Sequence, residues 1–334
     1  MNLGPFRLLL IALGLALAAP AASRNLQDMG GHEVVLPEKA SRIVTLGAVP
    51  VLNGFLFAFG AQKAIANGLP RNLNWKYQAV FAPDLAGKPV VQGADGVSIE
   101  QVIALQPELI LTFDEKIDAT LNKLNLPVVQ LSWSKPDDVK PLMALLGQIL
   151  NQPDVAEDYA RYFDTTLADV TATLAKNGPS EAPRVLYVNY RSLTQPHRIA
   201  EWWIPKAGGR SMTNDGRPQE SVTFSLEQIV AWDPQIVIVS GQSEIAQVLA
   251  ETKLQNVAAV RDKKIFVAPV GAHLWANRTI EQPLTVLWAA SLFHPDLFSR
   301  ERLRSEMGRF YDHFFHVAVT PEQIDEILAG APGR

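Results

Sequence analysis

The chain predicts an α/β protein of two Rossmann-like lobes, each with a parallel sheet, joined by a single long helix. Three observations carry this reading: a phrase used twice, strands that alternate with helices, and one uninterrupted helical stretch between two such alternations. The phrase Ser98-Ile-Glu-Gln-Val-Ile-Ala-Leu-Gln-Pro-Glu-Leu-Ile-Leu returns as Ser225-Leu-Glu-Gln-Ile-Val-Ala-Trp-Asp-Pro-Gln-Ile-Val-Ile. Ser98 and Ser225 suit N-caps, with Gln101 and Gln228 three residues on to close a capping box. Apolar residues at 99, 102 and 103, and at 226, 229 and 230, mark one helix face. Pro107 and Pro234 stop each helix, and an all-apolar strand follows. A capped-helix phrase also arises by chance in α/β chains, but the matched Gln and exit Pro favour duplication.

The first buried strand is Arg42 to Gly47, followed by a turn and a helix ending at Gly60. After an irregular aromatic stretch (69–81) the spacing predicts a short strand 90–92, helix 98–106, strand 109–113, helix 115–124, strand 127–133 and helix 137–150. Such alternation implies a parallel sheet covered on both faces. From Pro153 to Lys176 there is no glycine and no internal proline, and apolar residues at 155, 159, 163, 167, 170 and 174 keep helical spacing. A helix between two lobes is a stiff connector, unlike a Gly/Ser linker. The second lobe opens with strand 184–190. It continues with helix 225–233, strand 236–240, helix 243–250, strand 265–268, helix 280–293 and further C-terminal helices. The expected divisions are therefore 1–23, 24–152, 153–178 and 179–334.

The first division reads as an address. Arg7, the apolar run Leu8 to Ala19 and the small residues up to Ser23 have the order of a secretory signal peptide. The run is short for a membrane span, which needs roughly 20 apolar residues. With no cysteine in the 334 residues, disulfides and a lipid-modified cysteine tether are excluded. A soluble, untethered exported chain is expected in the periplasm. A net charge of −4 offers no basic footprint for nucleic acid.

No catalytic signature is present: no Gly-x-Ser-x-Gly elbow, Walker loop, strand-linked Gly-x-Gly-x-x-Gly or His-Glu-x-x-His. Gly208-Gly209 suits a helix C-cap. The six histidines are scattered, and His313 and His316 sit among apolar residues as on a partly buried helix. No dedicated bare-metal site and no cofactor are expected. Aromatic and basic residues do cluster where loops should follow strands, the end at which open α/β sheets bind ligands. They are Arg71, Trp75 and Tyr77 in the first lobe, and Tyr190, Arg191, His197, Arg198, Trp202 and Trp203 after strand 184–190. His273, Trp275 and Arg278 follow strand 265–268. Singly, each serves as well as an exposed loop residue or a satisfied core residue. As a set they suit a large, partly planar, anionic ligand. Trp232 and Trp288, on helix faces, read as core.

The chain resembles the periplasmic substrate-binding proteins of bacterial ATP-driven uptake systems for ferric siderophores, haem and cobalamin. The resemblance rests on Arg42-Ile-Val-Thr-Leu, the duplicated Ser-x-Glu-Gln phrase, Glu201-Trp-Trp-Ile-Pro-Lys-Ala-Gly-Gly, Ala258-Ala-Val-Arg-Asp-Lys-Lys-Ile-Phe-Val-Ala-Pro and Leu287-Trp-Ala-Ala-Ser-Leu-Phe-His-Pro-Asp-Leu-Phe. These span about 33 to 300. The resemblance implies a non-enzymatic, monomeric carrier. It would bind an iron–siderophore complex between the lobes, with iron present only as part of the chelate, and pass it to an inner-membrane ABC permease. Haem, cobalamin or another metal chelate is the alternative ligand. From the residues alone, a secreted two-domain hydrolase or transferase stays open. One departure stands out. The family often docks through a Glu on the first helix of each lobe, but here Asn53 and Gly54 occupy that place in the first lobe. In the second, Glu201 is the nearest acid, with Pro205-Lys206 closer to the position. Another docking mode, or hand-over to a second periplasmic binding protein, is expected instead.

Overall fold

The computed structural model describes residues 23–70, 76–179 and 181–330; residues 1–22 of the expected export segment, Arg71 and Trp75 lie outside the described residues. The chain enters through a hairpin absent from the sequence reading, β1 (Ser23–Gln27) antiparallel to β2 (Glu33–Pro37). The first lobe follows as β3 (Ile43–Leu46), α1 (Val49–Ala58), α2 (Lys76–Phe81), β4 (Gln92–Gly93), β5 (Gly96–Val97), α3 (Ile99–Ala104), β6 (Leu109–Thr112), α4 (Glu115–Asn122), β7 (Val128–Gln130) and α5 (Val139–Ile149). Its sheet has the order β3-β6-β7, all parallel, with Ile43 opposite Leu109 and Ile110 opposite Val128. Every residue of these three strands is buried, which is why their sequences are nearly continuous apolar runs. The expected strand 90–92 is instead one arm of a separate two-stranded hairpin, β4 with β5.

A 25-residue helix, α6 (Pro153–Asn177), starts on Pro153 in its first turn and leads to the second lobe. There come β8 (Arg184–Val188), β9 (Thr194–Gln195), α7 (His197–Lys206), β10 (Arg210–Ser211), β11 (Val222–Thr223), α8 (Leu226–Trp232), β12 (Ile236–Val239), α9 (Gln242–Ala250), α10 (Ala258–Arg261) and β13 (Ile265–Val267). The chain ends in α11 (Gln282–Phe293), α12 (Arg300–Phe315) and α13 (Pro321–Leu328). The second sheet, β10-β8-β12-β13, is also all parallel. The duplicated phrase folds alike in both lobes: Ser98 accepts from the Gln101 amide and Ser225 from the Gln228 amide. At Ser225 the box closes in both directions, since Gln228 Oε1 accepts from the Ser225 amide at 2.8 Å.

The main core belongs to neither lobe alone. One apolar cluster runs from Leu52, Phe55 and Leu56 of α1, through Leu142 and Leu146 of α5 and Tyr159 and Phe163 of α6, to Trp203, Leu284, Trp288 and Phe315 of the second half. Two smaller clusters fill the outer faces of the two sheets. Tyr159 also donates to the Ile280 carbonyl at 2.7 Å, fastening the connector to a second-lobe loop. The last helices cross back onto the first lobe: Phe57 and Phe81 meet Phe315 edge to face, and the Tyr77 hydroxyl donates to the Gln323 carbonyl. Helices α12 and α13 thus brace both halves rather than only the second. On α12 the two histidines face outward. His313 pairs with Asp158, and His316 is the exposed left-handed cap, φ 57°; Phe310, Phe314 and Phe315 fill the core side.

A continuous core between lobes resists hinge motion, because opening would expose buried aromatic surface at roughly 25 cal/mol per Å². Ligand binding is therefore expected to leave the radius of gyration nearly unchanged. Small-angle scattering with and without ligand checks this, and a large contraction would contradict it.

Candidate ligand cleft

Three first-lobe strand ends open into one cavity. After β3 the chain reverses at Gly47, φ +79°, a backbone angle that an L side chain strains to adopt. Gln92 locks this turn by accepting from the Gly47 amide and donating to its carbonyl. Helix α1 then starts at Val49 with Pro50 in its first turn, no side-chain cap and no acid there. Its partial positive end is thus uncompensated. After β6, Asp114 caps α4 by accepting from the Lys116 and Ile117 amides, and after β7 come Leu131 to Ser134. The cavity, about 380 Å³, is walled by Ala48, Val51, Phe113 and Trp133 and by the polar groups of Glu115, Gln130, Ser132 and Ser134. Trp133 is held by Phe55, ring centroids 5.4 Å apart, and by its indole N–H donating to the Pro136 carbonyl.

The second lobe closes the cavity with Glu220 and Arg278. Arg278 donates to the Ser134 carbonyl at 3.0 Å and pairs with Glu220 at 2.9 Å. Arg198, on α7, holds the other Glu220 oxygen at 2.6 Å. Two guanidinium groups therefore share one carboxylate at the cavity wall.

The loop that carries Arg278 is shaped from beneath by Glu281, which is fully buried. Its Oε1 accepts from the Tyr311 hydroxyl at 2.5 Å and the Ala272 amide at 3.1 Å; its Oε2 accepts from the Thr279 hydroxyl at 2.9 Å and the His273 amide at 3.3 Å. Burial pushes the Glu281 carboxyl above the ordinary range, against the pull of these donors. Gly271 is obligatory: a Cβ there would collide with the Glu281 and Tyr311 oxygens.

The residues anticipated from sequence are dispersed. Arg278 lines the cavity and Arg198 reaches it through Glu220. Arg191 is exposed and donates to Ser243, away from the cavity wall. Tyr190 turns toward Glu251, and burial lifts its hydroxyl pKa to about 12. His273 serves through its amide. Tyr77, Trp203 and Trp275 correct the expectation of an aromatic contact surface, since all three are fully buried. Residues 197–206 form a helix rather than a loop, and Ile199, Trp203 and Ile204 are its inward face. Trp203 donates to the Ala276 carbonyl, Trp202 spans the lobes to Asp137, and the Tyr77 hydroxyl is bound by Glu326. The cavity aromatics are Phe113 and Trp133 instead. Segments 109–113 and 127–133 read as strands to their ends, but pairing stops at Thr112 and Gln130 and leaves both aromatics in loops. Phe113 directly follows β6 and Trp133 lies three residues past β7, and this nearness to strand ends is the signal that could have found them.

The position expected to dock a permease is also internal. Asn53 accepts from Thr45 and donates to Gln78, which in turn donates to the Ala272 carbonyl of the second lobe. Glu201 is committed to Ser211 and Thr213.

Comparison with known proteins decides the family. The periplasmic binding protein profile matches residues 62–270. The chain belongs to the periplasmic binding protein family. This binding protein is 23% identical to the molybdate-binding protein MolA of Haemophilus influenzae over 335 aligned positions, covering 90% of this chain and 93% of the relative. It is 25% identical to the vitamin B12-binding protein of Yersinia pestis over 190 positions, 55% of this chain and 64% of that one. Among solved structures, a periplasmic solute-binding protein of Veillonella parvula superposes with TM-score 0.79 at 26% identity, covering 92% of this chain and 97% of the other. Molybdate-bound H. influenzae MolA superposes with TM-score 0.77 at 20% identity, over 89% and 99%. The two-lobed fold is shared throughout. Among the described residues, no helix of this binding protein is long and apolar enough to cross a membrane.

If Glu281 organises the Arg278 loop as an ionised acceptor, Tyr311→Phe should cost about 1.5–3 kcal/mol, the range for a hydrogen bond to a charged group. Urea unfolding measures it; a loss below about 0.5 kcal/mol would show no charge assistance. The folded carboxyl holds its proton to higher pH than the unfolded one. Stability therefore falls as pH rises between those two pKa values, and removing the Tyr311 donor should widen that window.

Proposed function

We propose that this protein is a non-enzymatic periplasmic carrier that captures a compact metal oxyanion of the molybdate class in the interlobe cleft and delivers it to an ABC permease. The observation that carries the reading is the pair of guanidiniums, Arg198 and Arg278, bridged by a single exposed carboxylate, Glu220. A divalent oxyanion that takes the place of Glu220 meets two cations, the Ser132 and Ser134 hydroxyls and the uncapped start of α1, a combination suited to tetrahedral anions. The size agrees: 380 Å³ lies near the lower end of ligand cavities and is small for haem or cobalamin. A molybdate-binding relative aligned over most of both chains supports the same class.

The second reading is the ferric siderophore expected from sequence. Phe113 and Trp133 favour it by offering apolar faces to an organic chelator. A highly anionic chelate is matched less well, because Glu115 and Glu220 share the wall with Arg278. With Asn53 buried and Glu201 engaged, delivery would use acids other than those anticipated on the first helix of each lobe, or a second periplasmic binding protein.

Native mass spectrometry with elemental analysis, on protein isolated from its periplasm, separates these readings. Molybdenum or tungsten without an organic mass supports the oxyanion. Iron with an organic mass supports the siderophore, and a chemically altered ligand would overturn the carrier reading altogether. In calorimetric titrations with molybdate, Arg278→Ala should lose roughly 2–5 kcal/mol of binding free energy. Glu220→Gln should bind more tightly than wild type, because the internal competitor is removed. Weaker binding by Glu220→Gln would contradict the exchange.

A further inference from the structure

Beside the cleft, and separate from its arginines, the entry hairpin meets α4 and β7 around three side chains that the carrier function does not use. Asp28, His32 and Asp118 bring one ligand atom each within 4.8 Å of one another. Asp28 is fixed: its Oδ1 accepts from the Gly30 and His32 amides and its Oδ2 from the Gln130 amide at 2.9 Å. The turn it closes aims His32 back over its own carboxylate. Asp118 comes from α4, with a side chain only 3% exposed. Its Oδ2 accepts from Asn122, while its Oδ1 is buried without a hydrogen-bond partner. Among the described residues, no lysine or arginine pairs with either carboxylate, and His32 is their nearest basic group.

Two carboxylates removed from water at close range need a cation. Protonated His32 meets that need poorly. Its Nδ1 lies 3.4 Å from Asp28 Oδ2 and 3.6 Å from Asp118 Oδ2, longer than the roughly 2.7–2.9 Å of a charge-assisted bond. A single N–H also cannot point at both oxygens. Those spacings do match the ligand–ligand edge of a metal site, about 3.4 Å for a tetrahedron with bonds near 2.1 Å. The partnerless Oδ1 of Asp118 is a further donor, and an open cavity lined by Glu115, Ser132 and Gln130 gives an ion and its water a way in.

We propose that Asp28, His32 and Asp118 form a binding site for a divalent transition-metal ion of the Zn²⁺ type, which pins the entry hairpin to the first lobe. One imidazole and two carboxylates with room for water make a hard-to-borderline set suited to such ions. The role is structural: a hairpin with its own short ladder is marginal alone, and the ion ties its turn to α4. Glu115, Gln130 and Ser132 border both this site and the ligand cleft, so pinning the hairpin also steadies one cleft wall.

The test uses the mature chain without a polyhistidine tag, stripped with EDTA and titrated with Zn²⁺ by calorimetry. The expected result is one saturable site, a raised melting temperature with Zn²⁺, and at least about ten-fold weaker binding in His32→Ala and in Asp118→Asn. His32 is half-exposed, so His32→Ala decides the matter if Asp118→Asn fails to fold. Arg278→Ala should keep wild-type Zn²⁺ affinity, which separates this site from the anion cleft whatever the fate of the carrier reading. Absence of saturable binding of Zn²⁺, Co²⁺ and Mn²⁺, or unchanged affinity in His32→Ala, would overturn the proposal.

Discussion

The buried carboxylate of Glu281 is the constraint on which the cleft depends. It sits under the second-lobe loop that sends the Arg278 guanidinium across to the first-lobe strand ends, and it spends its acceptor capacity on that loop and on α12. A buried acid is costly unless hydrogen-bonded. The loop between Gly271 and Glu281 supplies three of the four donors, so the cheapest way to satisfy the acid is to hold the loop in one shape. Tyr311 supplies the fourth from a helix that also packs on α1. The position of Arg278 is thereby referred to the frame of both lobes.

The same logic runs through the interlobe contacts. Gln78 donates to Ala272, Tyr159 to Ile280 and Trp203 to Ala276, so carbonyls of one short segment are claimed by α2, α6 and α7 in turn. These polar ties lie inside the large apolar cluster rather than at its rim. Bonds in such a setting are costly to leave unmade. The molecule therefore behaves as one body with a slot in it, and its adjustment to ligand has to come from the slot's own side chains.

Much of the fold was legible in the sequence, because its strands are buried on both faces and read as apolar runs, and because Ser98, Ser225, Pro107, Pro234 and Pro153 mark helix ends by local chemistry alone. The entry hairpin was not legible. Its strands are five residues each, half-exposed, and its turn is held by Asp28 bonds to neighbours and to distant Gln130. The site was read only in part, for two physical reasons. Apolar residues just past a strand, such as Phe113 and Trp133, look like its continuation until the sheet shows where pairing stops. Trp203 and Trp275 look like ligand platforms until tertiary packing shows that their indoles fill the core. Arg278 was found because it follows a strand; Glu220 was not, because its meaning lies in its two partners.

Under the proposed oxyanion reading, Glu220 would let the cleft favour anions without carrying an excess of free positive charge. With Glu220 between them, the two guanidiniums are neither bare nor strongly neutralised. Glu220 is more than half exposed, and an ion pair in that setting contributes about 0–1 kcal/mol. Replacing it costs little, since the released carboxylate swings into water. A ligand anion seated deeper, between Arg278 and the start of α1, is screened less and gains more from the same cations. For the oxyanion proposed above, the difference between a shallow and a deep anion would supply the binding free energy. Such an exchange would also select for ligands compact enough to reach the depth at which it becomes favourable.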